Sequence, residues 1–241
     1  FVNLLPAYAS GDDARSMATK CTAALANNAR GLVSLGGYGG YLTFHFDHRV
    51  ANIHGENDLY IAGNSFASAD PQWAALGGAS EPGIVMVSRD DNRNGLPDDQ
   101  WYELRGSADE DSVGRVDYAY ALHYIRTTEG AITWSDNRGN QGVVANNAYH
   151  TQHYFPRWLA APLQFSGTLL PPNRFLVGAG GGQWLGFFLR WGYVDNKPNN
   201  DRAANSFNID DAVDAQRRPV RLDGIDFVRV YTATRQINAP L

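Results

Sequence analysis

The chain has 241 residues, of which 44% are hydrophobic and 19% charged, and its formal net charge is −5. This composition excludes a disordered chain, and the lack of a basic stripe argues against binding to nucleic acid or to an anionic membrane surface. Cys21 is the only cysteine, which excludes an intramolecular disulfide, so disulfides cannot indicate the compartment.

The same composition favours a mainly β protein. The 25 glycines and the 12% of aromatic residues suit short strands joined by tight turns. The length is within the range of one β-sandwich. We therefore expect a single domain over residues 1–241, a jelly-roll-type β-sandwich with one N-terminal helix.

The N-terminal helix is expected at about residues 11–28. Ser10 is a candidate N-cap, and acidic residues follow it at the positive end of the helix dipole. Met17, Cys21 and Leu25 then recur at helical spacing. This stripe predicts a core-facing helix in which Cys21 is a small buried residue.

Strand patterns follow the helix. In the last one, both faces carry apolar residues, which predicts a central strand. The candidate strands are 41–46, 58–62, 84–88, 101–104, 118–126, 131–135, 174–177, 184–193 and 224–232.

The loop at 90–99 lies between two of these strands and has the spacing of a calcium-binding loop. Oxygen-bearing side chains occupy its first, third and fifth positions, and Gly95 at the sixth permits the sharp bend that a hard cation requires. The predicted calcium ligands are Asp90, Asn92, Asn94, the Leu96 carbonyl, Asp98 and Asp99.

This loop resembles the DxNxNG loops of EF-hands, dockerins and thrombospondin type 3 repeats. It departs from them at position twelve, where Trp101 replaces a bidentate acidic residue. Either Asp99 or Glu103 must then complete the ligand shell, or calcium must bind more weakly. The alternative is an Asx-rich turn without a metal.

A second acidic group lies in Asn-rich sequence, and its spacing is irregular. It fits a solvated loop rim, with another cation site or a polar ligand surface as the alternatives. Its members are Asp195, Asp201, Asp210, Asp211 and Asp214.

Catalytic signatures are weak. Glu81 and Glu103 are candidates for a glycosidase carboxylate pair, which keeps a carbohydrate-active hydrolase as an alternative. His150 and His153 have a spacing that would hold zinc on a helix, but no glutamate follows them. We expect no enzymatic activity.

Trp184, Trp191 and Tyr193 are the candidate ligand-binding residues. They follow a glycine-rich turn, and as parts of one strand Trp191 and Tyr193 would share a face. Such aromatic residues either fill the core or form a flat platform for a sugar ring or a corrin macrocycle.

Several motifs resemble those of uncharacterised cell-surface lipoproteins of Bacteroides-type bacteria, which are related to surface proteins that bind vitamin B12. The motifs are VSLGGYGGY at 33–41, FDH at 46–48, GNSF at 63–66, EPGIVMVS at 81–88, WYEL at 101–104 and DGIDFVRVY at 223–231. The resemblance implies display on the outer membrane and capture of a nutrient for an outer-membrane transporter.

We therefore expect an extracellular, calcium-stabilised binding protein. A corrinoid is the specific ligand expected and a glycan the next, with a hydrolase or an adhesion module as alternatives. No apolar run approaches the ~20 residues that span a bilayer, and the first residues lack the pattern of a signal peptide. We expect membrane attachment only through an anchor upstream of this segment.

Overall fold

A computed structural model describes residues 5–27, 29–126, 132–144, 155–156, 158–159, 162–178 and 182–235. Of these residues, 37% lie in strands and 11% in helices. The strands form several antiparallel sheets, as in a β-sandwich, and one helix lies near the N-terminus. The predicted fold class is confirmed.

The helices are α1 (Ala14–Leu25) and the single turn α2 (Pro71–Ala74), with 3₁₀ turns at Ser107–Asp109 and Ile209–Asp211. The strands are β1 (Tyr41–Ala51), β2 (Leu59–Tyr60), β3 (Phe66–Ala67), β4 (Gly77–Ala79), β5 (Gly83–Ser88), β6 (Trp101–Leu104), β7 (Asp117–Arg126), β8 (Ile132–Asp136), β9 (Gln141–Val144), β10 (Leu163–Leu169), β11 (Arg174–Val177), β12 (Gln183–Phe187), β13 (Ser206–Phe207), β14 (Ala212–Val213) and β15 (Gly224–Thr232). No helix among the described residues is long and apolar enough to cross a membrane.

The chain divides into two compact units, each built from two separate stretches of sequence. The first contains Phe1–Gly39 and Tyr118–Gly167, and the second contains Gly40–Asp117 and Thr168–Leu241. The expectation of a single domain stays a prediction.

The first unit contains α1 and most of a sheet with the order β10-β7-β8-β9. Helix α1 begins later than expected, because its N-cap is Asp13 and not Ser10. Asp13 and Ser16 form a capping box, in which each side chain accepts a backbone N–H of the other residue, at 2.8 and 2.9 Å. Met17 is buried as expected, whereas Cys21 is half-buried and Leu25 is exposed.

The second unit contains a sheet with the order β1-β15-β5-β6-β14, a sheet with the order β11-β12-β4-β3 and the pair β13-β2. Strand β15 lies between β1 and β5, and its two faces bury Ile225 and Val228. The prediction of a central strand at 224–232 is confirmed.

The strand predicted at 184–193 is shorter than expected. Strand β12 ends at Phe187, because the next residues bond outside the sheet: the Phe188 N–H donates to the Leu76 carbonyl at 2.9 Å, and the Leu189 N–H donates to the Asn196 side chain. Gly192 then has a φ of +88°, which a regular strand does not allow.

Candidate functional site

The loop between β5 and β6 folds back onto its own first residue. The Asp90 carboxylate accepts the backbone N–H of Asn94 at 3.1 Å and that of Gly95 at 2.9 Å. Gly95 has a φ of +73°, in the left-handed region that glycine adopts readily. The Asp-x-Asn-x-Asn-Gly sequence thus forms the tight turn that its spacing predicts.

The far side of the loop is closed by Asp98. Its carboxylate accepts the side-chain amide N–H groups of Asn94, at 3.0 and 3.2 Å, and of Asn92, at 3.1 Å. These bonds, with Asn94 the larger contributor, hold the pKa of Asp98 below its usual value. Asp98 therefore keeps its negative charge, and the two amide groups face it.

Asp99 and Glu103 differ in how their carboxylates are engaged. The Glu103 carboxylate accepts hydrogen bonds from the Thr168 hydroxyl and from Arg217, both at 2.5 Å. Oδ2 of Asp99 is buried and has no hydrogen-bond partner among the described residues. Of the two residues expected to complete the ligand shell, Asp99 is the one with an unused oxygen.

Within the described part of the chain, no three His, Cys, Asp or Glu side chains are grouped so that they could hold a metal ion. The predicted set of calcium ligands contains the carboxylates of Asp90, Asp98 and Asp99. Its other oxygens belong to side-chain amides and to the main chain. Calcium binding stays a prediction.

Asp226 on β15 fixes the start of the loop to the sheet. Its Oδ2 accepts the backbone N–H of Asp90 at 2.8 Å, and its two oxygens pair with Arg49 of β1 at 2.8 and 3.1 Å. Burial of Asp226 opposes its ionisation, but the bonds from Arg49 and Asp90 outweigh burial and lower its pKa. The loop is thus attached to two strands by one carboxylate.

A surface pocket lies beside this attachment. Its lining includes His45, His48, Arg49, Asp90 and Asp226. Strand β1 supplies the first three of these residues, in the stretch between His45 and Val50 where its register with β15 shifts. The pocket thus lies next to the predicted first calcium ligand.

Tyr193 is a core residue in this structure. Its side chain is 3% exposed, and its phenol oxygen accepts the Ala108 N–H at 3.1 Å. A Cβ atom at Gly106 would lie only 2.4 Å from the Tyr193 ring, so Gly106 allows the ring to pack there. Burial raises the pKa of the phenol. Tyr193 therefore presents no surface to a ligand here, and we do not retain it as a ligand-binding residue.

Trp191 is half-buried and lies beyond the end of β12. Its ring centroid is 5.6 Å from the Arg105 guanidinium, and its backbone N–H donates to the Ser107 hydroxyl at 3.1 Å. The expectation that Trp191 and Tyr193 share a strand face is wrong, because neither residue is in a strand. A ligand role for Trp191 stays a prediction.

Trp184 is half-buried on β12, directly opposite Leu176 of β11. Leu176 is 55% exposed, so this cross-strand pair places apolar surface at the solvent. Alternation along β11 puts Arg174 on the same face. Of the three aromatic residues expected to bind a ligand, Trp184 lies in the most suitable surroundings.

Arg174 was not among the expected site residues. Its side chain is 12% exposed, and Nη2 donates to Oε1 of Glu81 at 3.3 Å. Its Nε is buried and has no partner among the described residues. The alternation of Arg-Phe-Leu-Val places Arg174 beside Leu176, but no sequence signal reveals that its Nε is buried without a partner.

Asp195 holds the segment that follows Gly63. Its Oδ1 accepts the backbone N–H groups of Asn64, at 2.6 Å, and Ser65, at 2.8 Å. Burial, assisted by the charge of Glu81, raises the pKa of Asp195 to about 6 against these bonds. Asp195 is thus the carboxylate that Glu81 affects electrostatically, whereas Glu103 is engaged by Arg217 and Thr168.

The other members of the second acidic group have protein partners. Asp210 accepts hydrogen bonds from Asn52, His54 and Gly55. The remaining pairs are Asp201 with the Ala204 N–H, Asp211 with Arg105, and Asp214 with Arg218. These bonds are typical of loop rims, and a second cation site stays an open alternative. His150 and His153 lie outside the described residues.

Comparison of the chain with protein-family models finds no match, and comparison with curated proteins finds none either.

Proposed function

We propose that this chain is a non-catalytic, calcium-stabilised binding protein of a bacterial outer-membrane surface, and that it captures a nutrient molecule for an outer-membrane transporter. The observation that carries the proposal is the loop at 90–99, in which Asp90 and Asp98 close the turn from opposite ends. The motif resemblance supports the location and the nutrient role.

Calcium would require the side chains of the loop at 90–99 to turn their oxygens towards one point, since no three carboxylates of the described residues are grouped in that way here. Asp90 and Asp98 supply carboxylates, and a turn of the Asn92 and Asn94 amides exchanges their nitrogen for oxygen. Asp99 adds the buried Oδ2 that has no partner within the described residues. A hard cation with six to eight oxygen ligands matches this donor set.

The expected role of the ion is structural. A long connection between β5 and β6 would be fixed at its start by Asp226 and closed across its middle by calcium. An ion that binds only the folded protein adds its binding free energy to the free energy of unfolding.

Calorimetric titration with calcium tests this assignment on Asp90→Ala, with Asp91→Ala as the matched control. Asp91 is in the same loop but pairs with Arg89 at 2.5 Å and lies outside the ligand set. Loss of a charged ligand should weaken calcium binding by roughly tenfold or more. Asp91→Ala should bind calcium as the parent does, and a larger loss in the control would show that the ligand register is wrong.

The ligand surface that we favour contains Trp184, next to exposed Leu176. An aromatic ring at a surface offers a flat face to a corrin macrocycle or to a sugar ring. The resemblance makes a corrinoid the specific expectation, and a glycan is next.

A thermal-shift screen of cobalamins and glycans in calcium buffer tests the binding role, since a ligand of the folded state raises the melting midpoint. Trp184→Ala should weaken binding of a hit by roughly 1–3 kcal/mol. Trp191→Ala tests the second candidate. Phe66→Ala is the control, because Phe66 is a similarly placed aromatic residue, 61% exposed, on β3. Equal losses in Trp184→Ala and Phe66→Ala would reject the Trp184 site.

A hydrolase is the second candidate, favoured by the electrostatic influence of Glu81 on Asp195. Two carboxylates close enough to influence each other are the arrangement that glycoside hydrolysis uses. Hydrolysis of glycan substrates by the parent, and its loss in both Asp195→Asn and Glu81→Gln, would establish this alternative.

A further inference from the structure

Arg174 has more hydrogen-bonding capacity than the protein uses. A guanidinium carries five N–H donors. Among the described residues, the side chain of Arg174 forms one hydrogen bond, from Nη2 to Glu81. Its buried Nε has no partner there. A buried donor without an acceptor costs free energy, which an incoming acceptor would recover.

The bond between Arg174 and Glu81 is suited to exchange. At 3.3 Å it is longer than the ~2.7–2.9 Å of a charge-assisted hydrogen bond. The Glu81 side chain is 61% exposed, so its carboxylate can turn into water at little cost. A second carboxylate can then take its place and bind the guanidinium through two parallel bonds.

The surroundings of Arg174 indicate what would carry that carboxylate. Arg174 pairs across the sheet with Gly186, which has no side chain. Trp184 is its diagonal cross-strand neighbour, and the Cα atoms of such neighbours are about 7–8 Å apart. The two side chains lie on the same face of the sheet, and at this separation long side chains can contact the same ligand. Trp184 and Leu176 provide the apolar surface on which a sugar ring stacks.

We propose that Arg174 and Trp184 form a subsite for a carboxylate-bearing sugar, such as a sialic or uronic acid residue of an acidic glycan. Arg174 binds the carboxylate, Trp184 stacks on the ring, and Glu81 occupies the guanidinium when no ligand is present. This inference rests on the proposed binding function and, of the two ligand classes considered there, selects the glycan over the corrinoid.

The test compares acidic glycans with neutral counterparts in calorimetric titrations at fixed calcium. The probes are sialyllactose against lactose, and a hyaluronan tetrasaccharide against the chitin tetrasaccharide. At least one acidic probe should bind roughly tenfold or more tightly than its neutral counterpart, the effect of one charge-assisted bond. Equal binding of both pairs, or binding of none of these probes, overturns the inference.

Two variants with opposite expected effects make the test specific. Arg174→Gln should remove the preference for the acidic probe, and Glu81→Gln should increase the affinity for it, because the competing carboxylate is gone. Arg202→Gln is the matched control, since its guanidinium also lies by a surface aromatic, 4.3 Å from the ring of Tyr60. Should Arg174→Gln fail to fold, Glu81→Gln decides, and an unchanged or lower affinity for the acidic probe overturns the proposal.

The outcome separates this inference from the binding function on which it rests. Cobalamins or neutral glycans that raise the melting midpoint, without any preference for acidic probes, leave the proposed function standing and reject the acidic subsite.

Discussion

Asp195 illustrates how the position of a residue in this fold determines its backbone conformation and its pKa. Its backbone has a φ of 55°, which is uncommon for a residue other than glycine. A Cβ atom at Gly63 would lie 2.2 Å from Oδ1 of Asp195, so glycine is required there for the carboxylate to reach the next two backbone N–H groups. The sequence showed only an aspartate in an Asn-rich loop, because neither burial nor the distant Glu81 has a local signal.

Asp195→Asn should make the free energy of unfolding less dependent on pH. The folded-state pKa is raised from 3.8 to about 6, so the folded protein binds this proton more tightly than the unfolded chain does. Stability from this group is present below about pH 4 and is lost as the pH rises through about 6. The variant avoids that loss, because asparagine is neutral and keeps an oxygen for the two N–H groups.

The measurement is denaturant unfolding of parent and variant from pH 4 to pH 7 at fixed calcium. The stability of the variant relative to the parent should increase by about 2–3 kcal/mol across this range. A constant difference at every pH would show that Asp195 does not titrate there.

Tyr193→Phe should lower the free energy of unfolding by about 1–3 kcal/mol, because the buried N–H of Ala108 loses its acceptor. Tyr60→Phe is the control, since its hydroxyl bonds the Asn199 carbonyl at 3.3 Å in an exposed position. Chemical denaturation measures both changes. A stable Tyr193→Phe protein with weakened ligand binding would return Tyr193 to the ligand site.

At the scale of elements, the period-two patterns predicted where strands form better than where they end. The candidates at 101–104, 174–177 and 224–232 coincide with β6, β11 and β15. The strand predicted at 184–193 ends at Phe187, and the prediction was too long because apolar alternation does not distinguish a strand from a buried loop. Strand β4 consists of Gly77-Gly78-Ala79 and has no side-chain pattern to detect.

Strands also determine how firmly the loop at 90–99 is held. Asp226→Ala should weaken calcium binding by roughly tenfold, because removal of a residue that positions a metal ligand typically has that effect. The Asp226 carboxylate accepts the backbone N–H of Asp90 and also pairs with Arg49 of β1. The variant would therefore release the start of the loop from β1 and β15.

Asp223→Ala is the control for this prediction. Its side chain is 73% exposed and pairs with Arg89 at 3.1 Å, a surface ion pair of the kind that contributes ~0–1 kcal/mol. Calcium titration of the two variants should separate them. Equal calcium affinities of the two variants would show that Asp226 does not position the loop.

At the scale of the whole molecule, local sequence motifs could be predicted and long-range pairs could not. The residues of the loop at 90–99 are neighbours in sequence, so their spacing predicted the turn that closes on Asp90. Arg174 and Glu81 lie 93 positions apart, and Asp90 and Asp226 lie 136 apart. Such pairs depend on strand order and register, which the alternation of single strands does not specify.

The central claim is that calcium stabilises the folded chain, and it is tested most directly by the melting midpoint in calcium and in excess chelator. At calcium about 100-fold above its dissociation constant, the midpoint should rise by about 5–10 °C. Asp90→Ala should lose most of this difference and Asp91→Ala should keep it. Identical midpoints of the parent protein with calcium and with chelator would contradict the account.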